Sequence, residues 1–298
     1  MNTREHPAAA RRLPRLASLW IAAAAAGALL LGCASLGLGR IIERPEARVV
    51  ATVVESLSFE GVSLRFDVEI TNPNPVGITL AGFDYDLAVE GTPFVAGRVD
   101  RTVGVAARGR SVVPVPVELA FENLYAAVRQ VAEQDQFAYH LATGFSFDLP
   151  VLGRVRVPVS TAGTLPVVRV PRLRVSALRL DSLSLSGASL VLSLELENRN
   201  AFGMSLRGLE YSFAGNGQPW AAGAVERAVS LDPGGRGRVD LGFQISFAAV
   251  GRSAYQLLAV GGPLRYELLA DLSLGTTLPL LPQASLPLRT EGELRVAR

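Results

Sequence analysis

A shift of the chain against itself by 126 residues superposes Pro45 on Pro171, Leu57 on Leu183, Gly61 on Gly187, Leu64 on Leu190, Asn72 on Asn198 and Asn74 on Asn200. The same register carries Gly77 onto Gly203, Gly82 onto Gly208, Tyr85 onto Tyr211 and Gly97 onto Gly223, and it reaches Phe121 on Phe247 without a gap. Beyond that point it drifts by a few residues, with Tyr139 against Tyr266 and Pro158 against Pro287, as small loop insertions produce. A tandem duplication of this length requires one unit to build its core twice, which constrains the fold more than any composition figure. It divides the chain into two domains, residues 45–170 and 171–298, each large enough to hold a core of its own.

Within each unit the hydrophobic period is two. Leu64, Phe66, Val68 and Ile70 alternate with Arg65, Asp67, Glu69 and Thr71, and Leu190, Leu192, Leu194 and Leu196 alternate with Val191, Ser193, Glu195 and Glu197. Such alternation predicts half-buried strands of antiparallel sheets. Similar runs cover Val113 to Leu119 and Val239 to Ile245, and Asp232-Pro233-Gly234-Gly235 marks a turn. Pro114 and Pro116 lack amide donors on the same side of their run, which predicts an edge strand. One segment per unit changes period: Phe121, Leu124, Tyr125, Val128 and Val131, then Phe247, Val250, Ala254 and Leu257, follow helical spacing. The expected architecture is mainly β, two tandem β-sandwich domains, each with one amphipathic helix on a sheet face or sandwich end.

The strand from Leu64 runs into Asn72-Pro73-Asn74-Pro75-Val76-Gly77, followed by the Gly82 to Tyr85 stretch. This segment resembles the water-stress and hypersensitive-response (WHy) domain, the module of group 2 late-embryogenesis-abundant proteins, and two copies span nearly all the chain after its N-terminal segment. The resemblance implies an Ig-like or fibronectin-like sandwich with a helix and an association with desiccation and stress. It implies no catalytic residues. The second copy reads Asn198-Arg199-Asn200-Ala201, with both asparagines and neither proline, so the copies share the Asn pair and Gly77 or Gly203. Asparagine side chains bond neighbouring backbone where a strand turns out of a sheet, and glycine permits positive φ, which predicts a turn-forming role. A recognition loop is the alternative.

The first 15 residues hold Arg4, Arg11, Arg12 and Arg15 against Glu5, and residues 16–32 carry no charge. That order predicts a secretory signal peptide over 1–32. Leu30-Leu31-Gly32-Cys33 resembles a bacterial lipobox, with cleavage between Gly32 and Cys33 and a diacylglyceryl thioether on the Cys33 sulfur. Residues 33–44 then form a tether. An uncleaved membrane anchor is the alternative, and the four arginines give both the same orientation. Ala34 after the lipidated residue resembles the sorting pattern for the periplasmic face of the outer membrane in a Gram-negative host; in any other host the expectation is a membrane-anchored extracytoplasmic protein.

Removing the four Arg and one Glu of that segment from the 29 basic and 27 acidic residues leaves 25 against 26, so no electrostatic case for nucleic acid remains. All 29 basic residues are arginine. Cys33 is the sole cysteine, which leaves no disulfide framework and no thiolate metal site. His140 sits in an alternating stretch and is expected on an exposed strand face; Asp84 and Asp86, or Glu122 and Glu133, are the carboxylate pairs to test. Gly234-Gly235-Arg236-Gly237 lacks the following helix that a phosphate loop needs. The reading is a noncatalytic envelope lipoprotein without cofactor or metal, associated with water stress, whose partners are the membrane through its anchor and envelope components or partly unfolded proteins. A periplasmic lipoprotein binding lipid or another apolar ligand between sheet and helix is the alternative, favoured by a continuous apolar cavity. The oligomeric state is left open.

Overall fold

Alternation places one side-chain set inside, and the strand Gly61–Thr71 does so strictly: Leu64, Phe66, Val68 and Ile70 are buried while Arg65, Asp67 and Glu69 reach its outer face. The computed structural model describes residues 42–150 and 152–297. The expected signal peptide over 1–32, cleavage site at Gly32–Cys33, lipidation of Cys33 and most of the expected 33–44 tether lie outside these residues.

The first domain runs β1 (Glu46–Leu57), β2 (Gly61–Thr71), β3 (Ile78–Val89), β4 (Thr92–Val99), β5 (Val103–Val105), β6 (Arg110–Ala120), α1 (Phe121–Ala127), a 3-10 turn (Arg129–Glu133), β7 (Gln136–Leu149) and β8 (Gly153–Pro166). One layer has the order β1-β2-β6 and the other β4-β3-β7-β8, with β5 on β3, and every pairing is antiparallel. Phe66 of β2 meets Tyr139 of β7 edge to face at 5.8 Å, which ties the layers together across the core. The Tyr139 ring also lies over Gly163 of β8, where a Cβ would stand 2.5 Å from the phenolic oxygen. β6 pairs with β2 alone, so the strand with Pro114 and Pro116 is an edge, as the missing donors require.

The second domain repeats the series as β9 (Arg172–Leu183), β10 (Gly187–Glu197), β11 (Met204–Gly215), β12 (Gln218–Leu231), β13 (Arg236–Ser246), α2 (Phe247–Val250), α3 (Arg252–Val260), β14 (Pro263–Thr276) and β15 (Gln283–Ala297). Its two layers are joined along one side. A short parallel pairing of Val296 and Ala297 with Leu178 and Arg179 fuses β9-β10-β13 and β12-β11-β14-β15 into one seven-stranded sheet. Ser193, expected in water from alternation, is buried instead because Arg238 crosses it and donates to its Oγ at 2.7 Å.

The helical spacing is realised in two pieces per domain. In the first, α1 ends at Val128, whose φ of −127° leaves the helical region, and the 3-10 turn follows; Phe121, Leu124, Val128 and Val131 stay buried. In the second, Gly251 takes φ +88° between α2 and α3. Ala254 keeps the expected register beyond that break, and within α3 the next buried position is Leu258, four residues on, rather than Leu257. The helical segment starts at the sandwich end: Phe121 donates its amide to Glu60 O at 2.8 Å and Phe247 its amide to Ser186 O at 2.9 Å, each beside the first hairpin turn of its domain. Among the described residues no helix is long and apolar enough to cross a membrane.

Candidate functional site

Asn72 and Asn74 follow the last residue of β2, where the backbone leaves its ladder and its polar groups need new partners. Both side chains are buried, at 0% and 1% exposure. Asn72 Nδ2 donates to Val76 O at 2.8 Å and to Ala106 O at 2.9 Å, closing its own loop and binding it to the segment after β5. Asn72 Oδ1 accepts from the backbone amide of Asn74 and from Asn74 Nδ2, both at 3.0 Å. Asn74 then faces the incoming chain: its Oδ1 accepts from the Glu43 amide at 2.7 Å and its Nδ2 donates to Glu43 O at 2.9 Å. One primary amide thus reads the backbone of Glu43 as a neighbouring strand would.

The second copy reproduces this bond for bond. Asn198 Nδ2 donates to Phe202 O at 2.7 Å and Asp232 O at 3.0 Å, and Asn198 Oδ1 accepts from the Asn200 amide at 3.0 Å and from Asn200 Nδ2 at 3.2 Å. Asn200 clasps Arg169, accepting from its amide at 2.6 Å and donating to its carbonyl at 2.8 Å. Arg199 and Ala201 replace Pro73 and Pro75 without changing the network, so the asparagines and not the prolines carry it.

The glycines act differently from the expectation. Neither Gly77 nor Gly203 adopts positive φ. Gly203 is constrained by proximity: its amide donates to Thr277 Oγ1 at 3.0 Å, and a Cβ would stand 3.2 Å from Thr277 Cγ2. Gly77 is looser, the nearest neighbour of a Cβ being Val105 O at 3.7 Å.

Glu43 and Arg169 were not singled out in the sequence, although the signal existed. They stand 126 residues apart, each two residues before a proline, Pro45 or Pro171. Arg169 does more than its counterpart. Its side chain is 10% exposed. Nε donates to Ala132 O at 2.9 Å, Nη1 to Arg199 O at 3.1 Å and Nη2 to Gln134 O. The first two of these acceptor carbonyls lie in different domains, Ala132 in the first domain's 3-10 turn and Arg199 within the second domain's clasp. Beside it, Tyr125 donates its hydroxyl to Val168 O at 2.7 Å, and burial pushes its phenol up to about 12 against partial relief from Arg169 and Arg199.

The other sequence candidates do not converge on this place. His140 is exposed on β7. Asp84 is held by the guanidinium of Arg156, whose hydrogen bond lowers the carboxyl below its ordinary value; Asp86 is exposed, as are Glu122 and Glu133. The glycine-rich stretch at 234–237 is the turn into β13 and accepts and donates within the clasp, with Asn198 bonding Gly235 O at 2.9 Å through its backbone amide.

The late embryogenesis abundant protein family LEA_2 matches twice, over residues 67–163 and 193–292. A desiccation-related protein of Arabidopsis thaliana is 27% identical over 133 residues, 45% of this chain and 78% of that protein. The late embryogenesis abundant protein Lea14-A of Gossypium hirsutum is 25% identical over 124 residues, 42% of this chain and 82% of that protein. Among solved structures, the solution structure of a late embryogenesis abundant (LEA) protein is 25% identical and covers 50% of this chain and 86% of that one, with a TM-score of 0.38.

Proposed function

The chain belongs to the LEA_2 family of late embryogenesis abundant proteins, in two tandem domains, and we propose that it is a noncatalytic, membrane-tethered envelope lipoprotein acting in the response to water loss. The observation that carries the reading is the double family match together with relatives named for desiccation. The asparagine clasps support a structural role for the motif, because both polar atoms of each of the four side chains are engaged inside the fold. The signal peptide and lipobox resemblance support acylation at Cys33 and attachment at the periplasmic face of the outer membrane in a Gram-negative host. From there two rigid sandwiches present their edges and loops to envelope components or partly unfolded proteins. The apolar-ligand alternative gains little support: a concavity of about 720 Å³ at the end of the first domain is an open groove whose lining mixes Phe94, Val95 and Leu119 with serine, glutamate and asparagine.

Two experiments test this. Deletion of the gene is expected to lower survival after drying, osmotic shock or freezing; unchanged survival in all three would remove the stress role. Metabolic labelling with a fatty-acid analogue, with intact-mass analysis and membrane fractionation, is expected to show an acylated product beginning at Cys33, absent in Cys33→Ser. An unlabelled chain retaining residues 1–32 would replace the lipid tether by a membrane anchor.

A further inference from the structure

The 720 Å³ groove lies at the far end of β2 from the clasp, between the β1–β2 turn, the end of β6, α1 and the wall of β4, and its volume is in the range of small-molecule sites. The duplication supplies an internal comparison. Ser58, Gly61, Val62 and Leu119 of this groove correspond to Ser184, Gly187, Ala188 and Ile245, which line a concavity of about 440 Å³ at the same place in the second domain. The second concavity is bounded by β9, β10, β13 and their turns, with no residue of β12 in its lining.

One exchange accounts for the missing wall. Phe94 and Trp220 are repeat equivalents, and each is the extra residue of a β-bulge, opposite the step from Leu87 to Ala88 in one domain and from Phe213 to Ala214 in the other. A bulge re-aims the side chain it carries. Trp220 folds back and is 6% exposed, because Gly215 gives its indole a recess; a Cβ there would stand 2.6 Å from Trp220 Cε2. The first domain has Val89 at that position, itself fully buried, so the recess is occupied and Phe94 stays only partly buried, with the rest of its ring along the groove.

The lining chemistry selects a ligand class. Ser56, Ser63 and Asn123 offer hydroxyls and an amide, and Glu60 and Glu118 offer carboxylate acceptors, while the Ser58 hydroxyl is taken up by the backbone of its own turn. Phe94, Val95 and Ala127 form an apolar strip beside them. No lining residue is basic, so a phosphate, sulfate or carboxylate ligand would meet acids without a counter-charge. A metal cation would find only two carboxylates here, and among the described residues no three or more His, Cys, Asp or Glu side chains gather as a metal site. A neutral sugar uses both halves: its hydroxyls donate to carboxylates and serines, and its C–H face lies on an aromatic ring.

We propose that the groove of the first domain, and not its counterpart in the second, binds a neutral saccharide of about disaccharide size, its C–H face on Phe94 and its hydroxyls on Glu60, Glu118, Ser56 and Ser63. The proposal is independent of the lipid anchor and of the stress role. Hydrogen exchange read by mass spectrometry on the full chain tests it, with trehalose, sucrose and diacetylchitobiose as probes up to tens of millimolar, and choline and inorganic phosphate as charged comparisons. The expected result is slowed exchange with at least one disaccharide, confined to residues 56–63, 92–95 and 118–127, with residues 182–189 and 244–246 unchanged. Phe94→Ala is expected to abolish that protection. The pair Val89→Gly with Phe94→Trp, which installs the second domain's arrangement, is expected to abolish it with the remaining exchange pattern intact. Protection by none of the three sugars, uniform slowing over both domains, protection by choline or phosphate alone, or protection that persists in Phe94→Ala would each overturn the proposal.

Discussion

Asn200 bonds a backbone segment that water cannot reach, whereas Asn74 makes the same bonds to the exposed Glu43. The two should therefore differ in cost although their geometry is the same. Asn200→Ala leaves a buried amide and carbonyl of Arg169 without partners and is expected to destabilise the second domain by about 2–4 kcal/mol, while Asn74→Ala costs about 1 kcal/mol because water replaces the lost bonds. Urea unfolding of the two variants checks this, and equal losses would show that burial of the clasped residue is not what matters. Pro73→Arg, which copies the second domain's Arg199, should cost only about 0.4–1 kcal/mol through the greater freedom of the unfolded chain. Tyr125 gives the residue scale a pH signature. Its folded pKa of about 12 lies above the ordinary value of 10.0, so its stability contribution is complete below pH 10 and is lost as pH rises through 12. At about 1.4 kcal/mol per unit the loss reaches roughly 2–3 kcal/mol, reduced by whatever solvent the ring still meets. Tyr125→Phe should lower stability at neutral pH by about 1 kcal/mol and flatten this alkaline decline; urea midpoints followed across that range would show an unchanged slope if another group were responsible.

At the scale of elements, the edge strands carry the clearest consequence. The amide of Phe121 points toward β2, and alternation turns the amides of even-numbered β6 residues outward, which is where Pro114 and Pro116 stand opposite Asp67 and Arg65. The first domain thereby exposes no donor at two positions of a free edge, a device that blocks strand addition by another chain. The equivalent edge β13 has no proline and relies on Arg238 and Asp240, with Gly237 covered by Val229 and Leu231 of β12. Pro114→Val with Pro116→Val is expected to leave the fold intact and to produce concentration-dependent association in sedimentation velocity; a variant that remains at the wild-type sedimentation coefficient at every concentration would show that the prolines are not the block. The edge was readable because proline removes a donor wherever it stands. The split of each helix was less readable, since Val128 belongs to the continuous three-to-four pattern, the apolar spacing runs on across Gly251, and only the backbone angles at the two residues reveal the break.

For the whole molecule, Arg169 sets how the two domains are held. A buried guanidinium whose donors meet carbonyls of Ala132, Gln134 and Arg199 is solvated by backbone dipoles, since Asp135 stands 3.9 Å away and is largely exposed. Its main chain is simultaneously clasped by Asn200, so one residue ends the first domain and begins the second. Arg169→Met keeps the stem and removes the donors. It is expected to separate unfolding into two calorimetric transitions and to broaden the interdomain distances seen by small-angle scattering, at a cost of about 3 kcal/mol for the three orphaned carbonyls. A single transition and an unchanged scattering profile would mean that the domains are coupled elsewhere.

The sequence by itself determined the duplication, the strand faces apart from Ser193, the blocked edge, the position of the helical segment and the turn role of the asparagine pair. Each of these follows from a residue's own chemistry or from its near neighbours in the chain: the period of burial, a missing donor, an amide able to bond backbone. Tertiary structure alone decided what the asparagines hold, because Glu43 and Arg169 lie 31 residues upstream and meet them only after the sheets have formed. It also decided the parallel contact of β15 with β9, the break of the helical segment at Gly251 and the different fates of Phe94 and Trp220. In the last case a pair of aromatic residues at one repeat position is indistinguishable by pattern, and the side chain at a second position, Val89 or Gly215, decides whether the ring is buried or left facing a groove.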